Sequence, residues 1–426
     1  MASTDTPPTE QATKSRPAYR DGNVLRWLTA YTASLVGDSV YFVALAWSAQ
    51  KVAGPTEIGL VMATGALPRA LLMLGGGAVA DRFGPRRVVL GSDAVRCLLI
   101  LAVAAAIALT GPSLWILIAT ALIFGIVDAL FMPSVGALPP RITSPDQLAR
   151  VTGMRSLSIR LSQIAGPPIG GLAMGLGGAE AAFAVAGLLF ALSIPLLLTL
   201  RLRPLEPRDA EQPPTPASST WQDLIDGLRY IRGQRLIFPL VLVGAIGELG
   251  LTGTLNVGMV LLNDERGWGP SGYGFIISAF GAGAAASAAL LAIVGWLPRA
   301  GLTMSATLLV SCVGAASIGL APDLYLAAAV AAVTGLSAGV FGSLSNTLVQ
   351  TEADPAYLGR VTSVTMITSV GLAPLTYPLV GAAIGVWGAA SVFVGSGAFA
   401  SVGVVIALAS RAVRRAELPR TSKDPA

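Results

Sequence analysis

Pro145-Asp146-Gln147-Leu148-Ala149-Arg150-Val151-Thr152 returns 210 residues later as Pro355-Ala356-Tyr357-Leu358-Gly359-Arg360-Val361-Thr362, identical at five of eight positions. At the same offset Pro168 falls on Pro378 and Gly171 on Gly381. Self-similarity over half a chain marks a duplicated architecture, and duplication is a common plan for membrane carriers.

The composition around this repeat requires a membrane. Of 426 residues 54% are apolar and 12% charged, and the mean hydropathy is +0.70, which does not fit a soluble globular chain. Apolar segments long enough to cross a bilayer, about 20 residues each, run at 24–47, 58–80, 88–110, 114–138, 152–176 and 180–202, then at 236–262, 272–296, 301–320, 324–350, 361–385 and 387–410. The fold expected is all-α integral membrane, with twelve transmembrane helices as two six-helix bundles. An even number of spans per half makes the repeat parallel, a pseudo-twofold about the membrane normal.

Residues 1–23, rich in Thr, Pro and charge, read as a disordered cytoplasmic tail with no cleavable signal before the first span. Residues 203–235 read as a cytoplasmic linker holding a short amphipathic helix, Trp221 to Arg232, lying along the membrane surface, and 411–426 as a second tail. With the amino terminus inside, 23 of the 28 Lys and Arg lie on the cytoplasmic side, Lys51 and Arg266 lie outside, and Arg69, Arg96 and Arg160 lie within spans. Both termini are therefore expected in the cytoplasm of a multi-pass cell-membrane protein. The net charge of +5 is read as this orientation signal, with no nucleic-acid footprint.

Whole chemistries are excluded by composition. There is no histidine, so Ser-His nucleophiles and HExxH zinc sites are absent, and Lys14, Lys51 and Lys423 complete no nucleotide-binding GxxxxGK[ST] loop. Cys97 and Cys312 sit in apolar runs, where a buried small hydrophobe is a simpler reading than a disulfide or metal pair. No cofactor and no metal are expected, and the lipid bilayer is an expected partner.

The repeat aligns Gly37-Asp38 with Gly247-Glu248, each acid 12 residues beyond Arg26 or its counterpart Leu236, roughly 18 Å into a hydrocarbon core about 30 Å thick. A midplane carboxylate needs a water-filled cavity or a partner. Asp38 and Glu248 are thus candidates for proton or cation coupling. The alternative for Asp38 is an anchoring pair with Arg69 of span 2, whereas spans 7 to 12 offer Glu248 no base at similar depth. Asp128 and Arg160, at comparable depths in spans 4 and 5, read as an ion pair or gate, and Arg96 as an i,i+3 partner of Asp93.

Between spans 2 and 3 stands Gly77-Ala78-Val79-Ala80-Asp81-Arg82-Phe83-Gly84-Pro85-Arg86-Arg87. It resembles the GxxxDRxGxRR signature of the major facilitator superfamily, and with the spans and the repeat the resemblance covers nearly the whole chain. It implies a conformational gate in which Gly77, Asp81, Arg82, Gly84, Arg86 and Arg87 latch the first half to the inner end of span 11, here Gly359-Arg360. In span 5, Gly153, Ser162 and Gly166-Pro167-Pro168-Ile169-Gly170-Gly171 resemble the glycine-proline pattern of the superfamily's drug and metabolite antiporters, with Ser162 replacing one glycine. Packing alone would account for those small residues; within the family they favour export. The pattern's usual arginine on span 4 is Ala121 here, so its role does not transfer. Asn23 to Arg26, Gly37-Asp38, Phe131-Met132-Pro133 and the Arg-Val-Thr pairs are most similar to the macrolide-efflux and siderophore-export branch.

The resemblance implies a monomeric secondary exporter of small lipophilic molecules by proton antiport, relevant to multidrug efflux and antibiotic resistance, with spans 1, 4, 7 and 10 lining a central cavity. Tyr31, Tyr41, Phe42, Asn256 and Met259 are its candidate lining, with interhelical or lipid packing as the competing role for each. An uncoupled facilitator or importer of the same fold stays open, and so, less favoured, does a membrane enzyme on lipid-linked substrates.

Overall fold

The computed structural model describes residues 17–203, 220–294 and 299–418, without the side-chain surroundings of 74–78 and 220–223. The tail reading for 1–16 and 419–426 and most of the linker reading fall outside these residues, as do the side-chain surroundings of Gly77. All regular structure among the described residues is helical.

In the first half α1 (Gly22–Gln50), α2 (Pro55–Phe83), α3 (Pro85–Thr110) and α4 (Leu114–Gly136) lead through a short α5 (Pro139–Ile142) into α6 (Leu148–Leu198). Residues 17–23, read from sequence as part of the tail, are ordered here. Ala18 is buried and its N–H donates to Gln147 at 3.2 Å, while the Asp21 carboxylate caps α1 by accepting from the Asn23 N–H at 2.8 Å. Gly84, at φ +83°, makes the turn from α2 to α3 that a side chain would disfavour, and Pro85 starts α3. Gly178, at φ +74°, leaves the helical region and divides the 51-residue α6 where two spans were expected to part.

In the second half α7 (Thr220–Gly233) precedes α8 (Ile237–Gly253), a π-helical turn (Thr254–Gly258), α9 (Met259–Glu265), α10 (Gly269–Val294), α11 (Ala300–Leu320), α12 (Leu324–Glu352), α13 (Leu358–Gly371), α14 (Ala373–Trp387), α15 (Ala389–Ala409) and α16 (Arg411–Arg414). Two spans expected to be continuous are interrupted. Span 7 contains the π turn, and span 11 breaks at Leu372, because Pro374 supplies no N–H to the preceding turn. Ten of the described helical stretches are long and apolar enough to cross a membrane.

Within the first half α1 and α3 pack on α6, and α2 on α4; in the second α10 packs on α12, and α11 on α12 and α15. The halves meet along α6 with α10 and α2 with α14. Those seams are backbone against backbone. A Cβ built at Gly171 would lie 2.4 Å from the Pro270 carbonyl oxygen, at Gly274 2.7 Å from that of Pro167, at Gly59 2.4 Å from that of Tyr377, and at Gly381 2.2 Å from that of Pro55. Ser278 adds a hydrogen bond to the Ile164 carbonyl at 2.8 Å. Small residues permit this approach where lipid gives helices little other reason to associate.

The buried apolar groups report how the halves are arranged. One cluster, including Val43, Trp47, Ile58, Met174, Val260, Ile318 and Ile384, runs through both halves at the end away from the termini. At the termini end there are two separate clusters, one around Trp27, Phe131 and Leu197, the other around Ile237, Met304 and Leu348. The molecule is closed at one end and parted at the other.

α7 is more than a surface segment. Its Tyr230 ring stacks on Tyr357 at the start of α13, with centroids 4.4 Å apart and 5° between planes, and its hydroxyl accepts from the Asp354 N–H at 3.0 Å. Ile231 is buried in the core of the second half.

Candidate functional site

Between the halves lies a cavity of about 910 Å³. α1 contributes Ser39 and Phe42, α6 contributes Arg160 and Gln163, and α8 with its π turn contributes Glu248, Thr252 and Asn256. The remaining wall comes from α9 to α13, including Met259, Tyr273, Phe280, Asn346 and Thr365. Span 4 adds nothing to this lining among the described residues, whereas spans 5, 8, 9 and 11 do, which corrects the expected set of spans. Phe42, Asn256 and Met259 are part of the lining.

Tyr31 and Tyr41 do not line this cavity. Tyr31 is buried and stacks on Trp27 at 5.7 Å with the Arg155 guanidinium 5.6 Å over its ring. Tyr41, also buried, stacks on Phe124 at 3.8 Å. Both lie on faces of α1 turned into the first half, a direction that depth along the helix does not specify.

Arg160 and Glu248 are the charged groups of the lining, and they come from different halves. Arg160 donates to the Gln163 side chain at 3.2 Å, and Glu248 accepts from the Thr252 hydroxyl one helical turn on. Neither belongs to an ion pair among the described residues. The π turn sets in just beyond Thr252, and Asn256 within it donates to the Thr252 carbonyl at 2.8 Å. Such turns recur at functional sites because they re-aim side chains without ending the helix.

The first half keeps its charges elsewhere. Arg96 of α3, fully buried, donates to Asp38 of α1 at 2.7 Å and to Asp93 of its own helix, and lies 3.7 Å from Asp128 of α4. Arg69 of α2 reaches Asp128 at 3.4 Å. Ser34 donates to Asp93 at 2.7 Å, Ser193 donates to the same carboxylate, and the Phe131 ring lies 3.9 Å below the Arg96 guanidinium. Two expected pairings are thereby replaced. Asp38 is held by Arg96, not Arg69, and Asp128 by Arg69 and Arg96, not Arg160. Arg160 and Asp128, expected at one depth, have different neighbours: Gln163 and the cavity for Arg160, Arg69 and Arg96 for Asp128. Phe42 links the two regions, since it lines the cavity and lies 5.8 Å from the Arg69 guanidinium.

Of the signature between α2 and α3, Asp81, Arg82 and Arg87 are exposed, and Arg86 donates to the Leu197 carbonyl at 3.1 Å and to that of Leu198. Arg86 thus satisfies carbonyls at the carboxyl end of α6 in its own half. In the glycine-proline motif, a Cβ at Gly166 would lie 2.3 Å from Ser39 Cβ, and Gly170 faces Val40 and Val43 of α1. Gly171 and Pro167 serve the seam with α10, while Gly153 faces open space. The polar stripe Thr362, Thr365 and Ser369 in the cavity wall was missed from sequence, although its i, i+3, i+7 spacing in an apolar span was a readable signal.

A membrane-embedded helical protein with an interior cavity parted at one end is built as a carrier. The model for the Major Facilitator Superfamily matches residues 27–370, and the chain belongs to that superfamily. It is 27% identical over 350 residues, 82% of this chain and 80% of the relative, to proteins named enterobactin exporter EntS from Shigella boydii serotype 18 and Escherichia coli O139:H28. In fold it is similar to a bacterial homolog of the human lysosomal transporter Spinster in an inward-facing and occupied conformation, with a TM-score of 0.71, 14% identity and coverage of 94% of this chain and 97% of that one. It is also similar to the nucleoside transporter NupG (D323A mutant), with a TM-score of 0.70, 12% identity and coverage of 91% and 100%. It is a multi-pass membrane transporter, not an enzyme.

Proposed function

We propose that this protein is a twelve-span secondary exporter that moves a small, partly lipophilic metabolite out of the cell in exchange for protons. Counting α2 as a span and α6 as two extends the ten apolar stretches to twelve, arranged as bundles of residues 24–202 and 236–410 related by a pseudo-twofold. Both termini and the 203–235 linker face the cytoplasm of the cell membrane, by the distribution of Lys and Arg. The cavity then opens to the cytoplasm, and the chain works as a monomer.

The observation that carries the reading is Glu248: one carboxylate in the lining of a large cavity at membrane depth, held by a hydroxyl and, among the described residues, by no base. Glu248 exchanges a proton for cargo, and proton uptake from outside releases cargo there. Asp38 and Asp128, tied to Arg96 and Arg69, anchor the first half. Asp81, Arg82 and Arg87 engage the inner end of span 11, near Arg360, when the open end closes. The likeness to enterobactin exporters supports a siderophore-type cargo, and a wider role in multidrug efflux or antibiotic resistance is a matter of how permissive the cavity is.

The test is substrate-induced proton release in energised inside-out vesicles, followed with a pH-gradient dye across a panel of siderophores, macrolides and lipophilic cations. A coupled exporter dissipates the gradient with its cargo, and Glu248→Gln abolishes the response. If labelled cargo equilibrates with no proton movement in either protein, the antiport reading fails and a facilitator remains.

A further inference from the structure

The exporter reading leaves the chemical class of cargo open, and the charges of the cavity narrow it. Arg160 enters from the first half with five N–H donors and one described side-chain partner, Gln163. Glu248 enters from the second half with the Thr252 hydroxyl as its described partner. Among the described residues the lining has no other charge. An unpaired charge in such a cavity is satisfied by water, and an occupant that displaces the water must supply a counter-charge in its place. A cargo that is only cationic satisfies Glu248 and meets Arg160 as a like charge; one that is only anionic does the reverse. The rest of the lining combines apolar groups such as Phe42, Met259, Tyr273 and Phe280 with the uncharged polar stripe of α13.

We propose, building on the exporter reading, that the cargo is amphoteric: an acidic group bound by Arg160 and Gln163, a cationic group bound by Glu248, and an apolar body between them. Such a molecule ties the two halves together across the parted end. Its binding energy therefore goes into drawing that end closed, which a cargo held by one half alone does not do. A guanidinium suits the acidic end because its fork matches a carboxylate's two oxygens.

Three dyes on one xanthene scaffold test this with the purified full-length protein in nanodiscs. Rhodamine B carries a carboxylate and a delocalised cation, rhodamine 6G is an ester with the cation alone, and fluorescein is anionic. By fluorescence anisotropy rhodamine B binds about tenfold or more tighter than either relative. Arg160→Gln brings rhodamine B to the level of rhodamine 6G without changing rhodamine 6G, Glu248→Gln brings it to the level of fluorescein, and Arg160→Lys restores part of the preference. Each variant is used only if it melts as the wild type does. Rhodamine 6G binding as tightly as rhodamine B, an Arg160→Gln loss shared equally by all three dyes, or no binding by any of them overturns the proposal. Binding here needs no transport, so the two readings fail separately. The dye pattern without proton release in vesicles removes antiport and leaves the amphoteric site, and proton release without the pattern does the opposite.

Discussion

Asp38 and Glu248 occupy the same register of the two halves, 210 residues apart, and have opposite surroundings. Around Asp38 the carboxylates of Asp93 and Asp128 and the guanidinium groups of Arg96 and Arg69 form a linked set of ion pairs, with the Phe131 ring against Arg96. Around Glu248 there is a hydroxyl and a cavity. Burial beside a base suits a midplane acid to fastening helices, and a place in a cavity wall without one leaves it available to other partners. The difference lies in the side chains that neighbouring helices bring to each acid.

The comparison is most exposed at Arg96. Arg96→Met strands Asp38 and Asp93 without their cation, and removal of one partner from a buried ion pair costs about 3–5 kcal/mol. A large drop in melting temperature of the purified protein is expected; a variant melting with the wild type would show that the cluster fastens nothing. Next comes the seam at the closed end. Gly381→Val places bulk against the Pro55 carbonyl, an overpacking of about 1–3 kcal/mol. A cysteine at Asn256, labelled by a membrane-impermeant maleimide from the side opposite the termini, should react several-fold faster in the Gly381→Val background, and an unchanged rate would mean that the seam does not hold that end shut.

Glu248→Gln sharpens the contrast from the other side. Its expected signature is loss of proton-coupled flux by about tenfold or more, equivalent to about 1.4 kcal/mol, with melting unchanged. Asp38→Asn should lower melting and flux together, and a Glu248→Gln variant that loses stability as Asp38→Asn does would erase the distinction. The smallest effect belongs to α7. Tyr230→Ala removes a ring stack and a hydrogen bond to Asp354, about 0.5–1.5 kcal/mol, visible as faster amide exchange through 224–233 while Tyr230→Phe keeps most of the protection.

Depth along the chain was legible in the sequence. The repeat and the apolar runs marked where helices run and part, since hydrophobic length is a local property. Facing was not legible. Asp128 and Arg160, expected at one level, have different neighbours, and Tyr31 and Tyr41 turn inward from the helix whose Phe42 meets the cavity. Azimuth depends on how helices roll against each other, and a single chain with few charges contains little to fix that roll. The break at Leu372 was foreshadowed by Pro374, but the π turn at Thr254–Gly258 had no comparable marker, because its extra residue is accommodated by packing against α14 and α15.

The closed end is joined by main chain meeting main chain at Gly59, Gly171, Gly274 and Gly381. A barrier of that kind has no ions to screen, so the rate at which it parts should be indifferent to ionic strength. It should respond instead to whatever alters how closely helices lie, such as lateral pressure and acyl-chain order. The lipid is in that sense part of the lock.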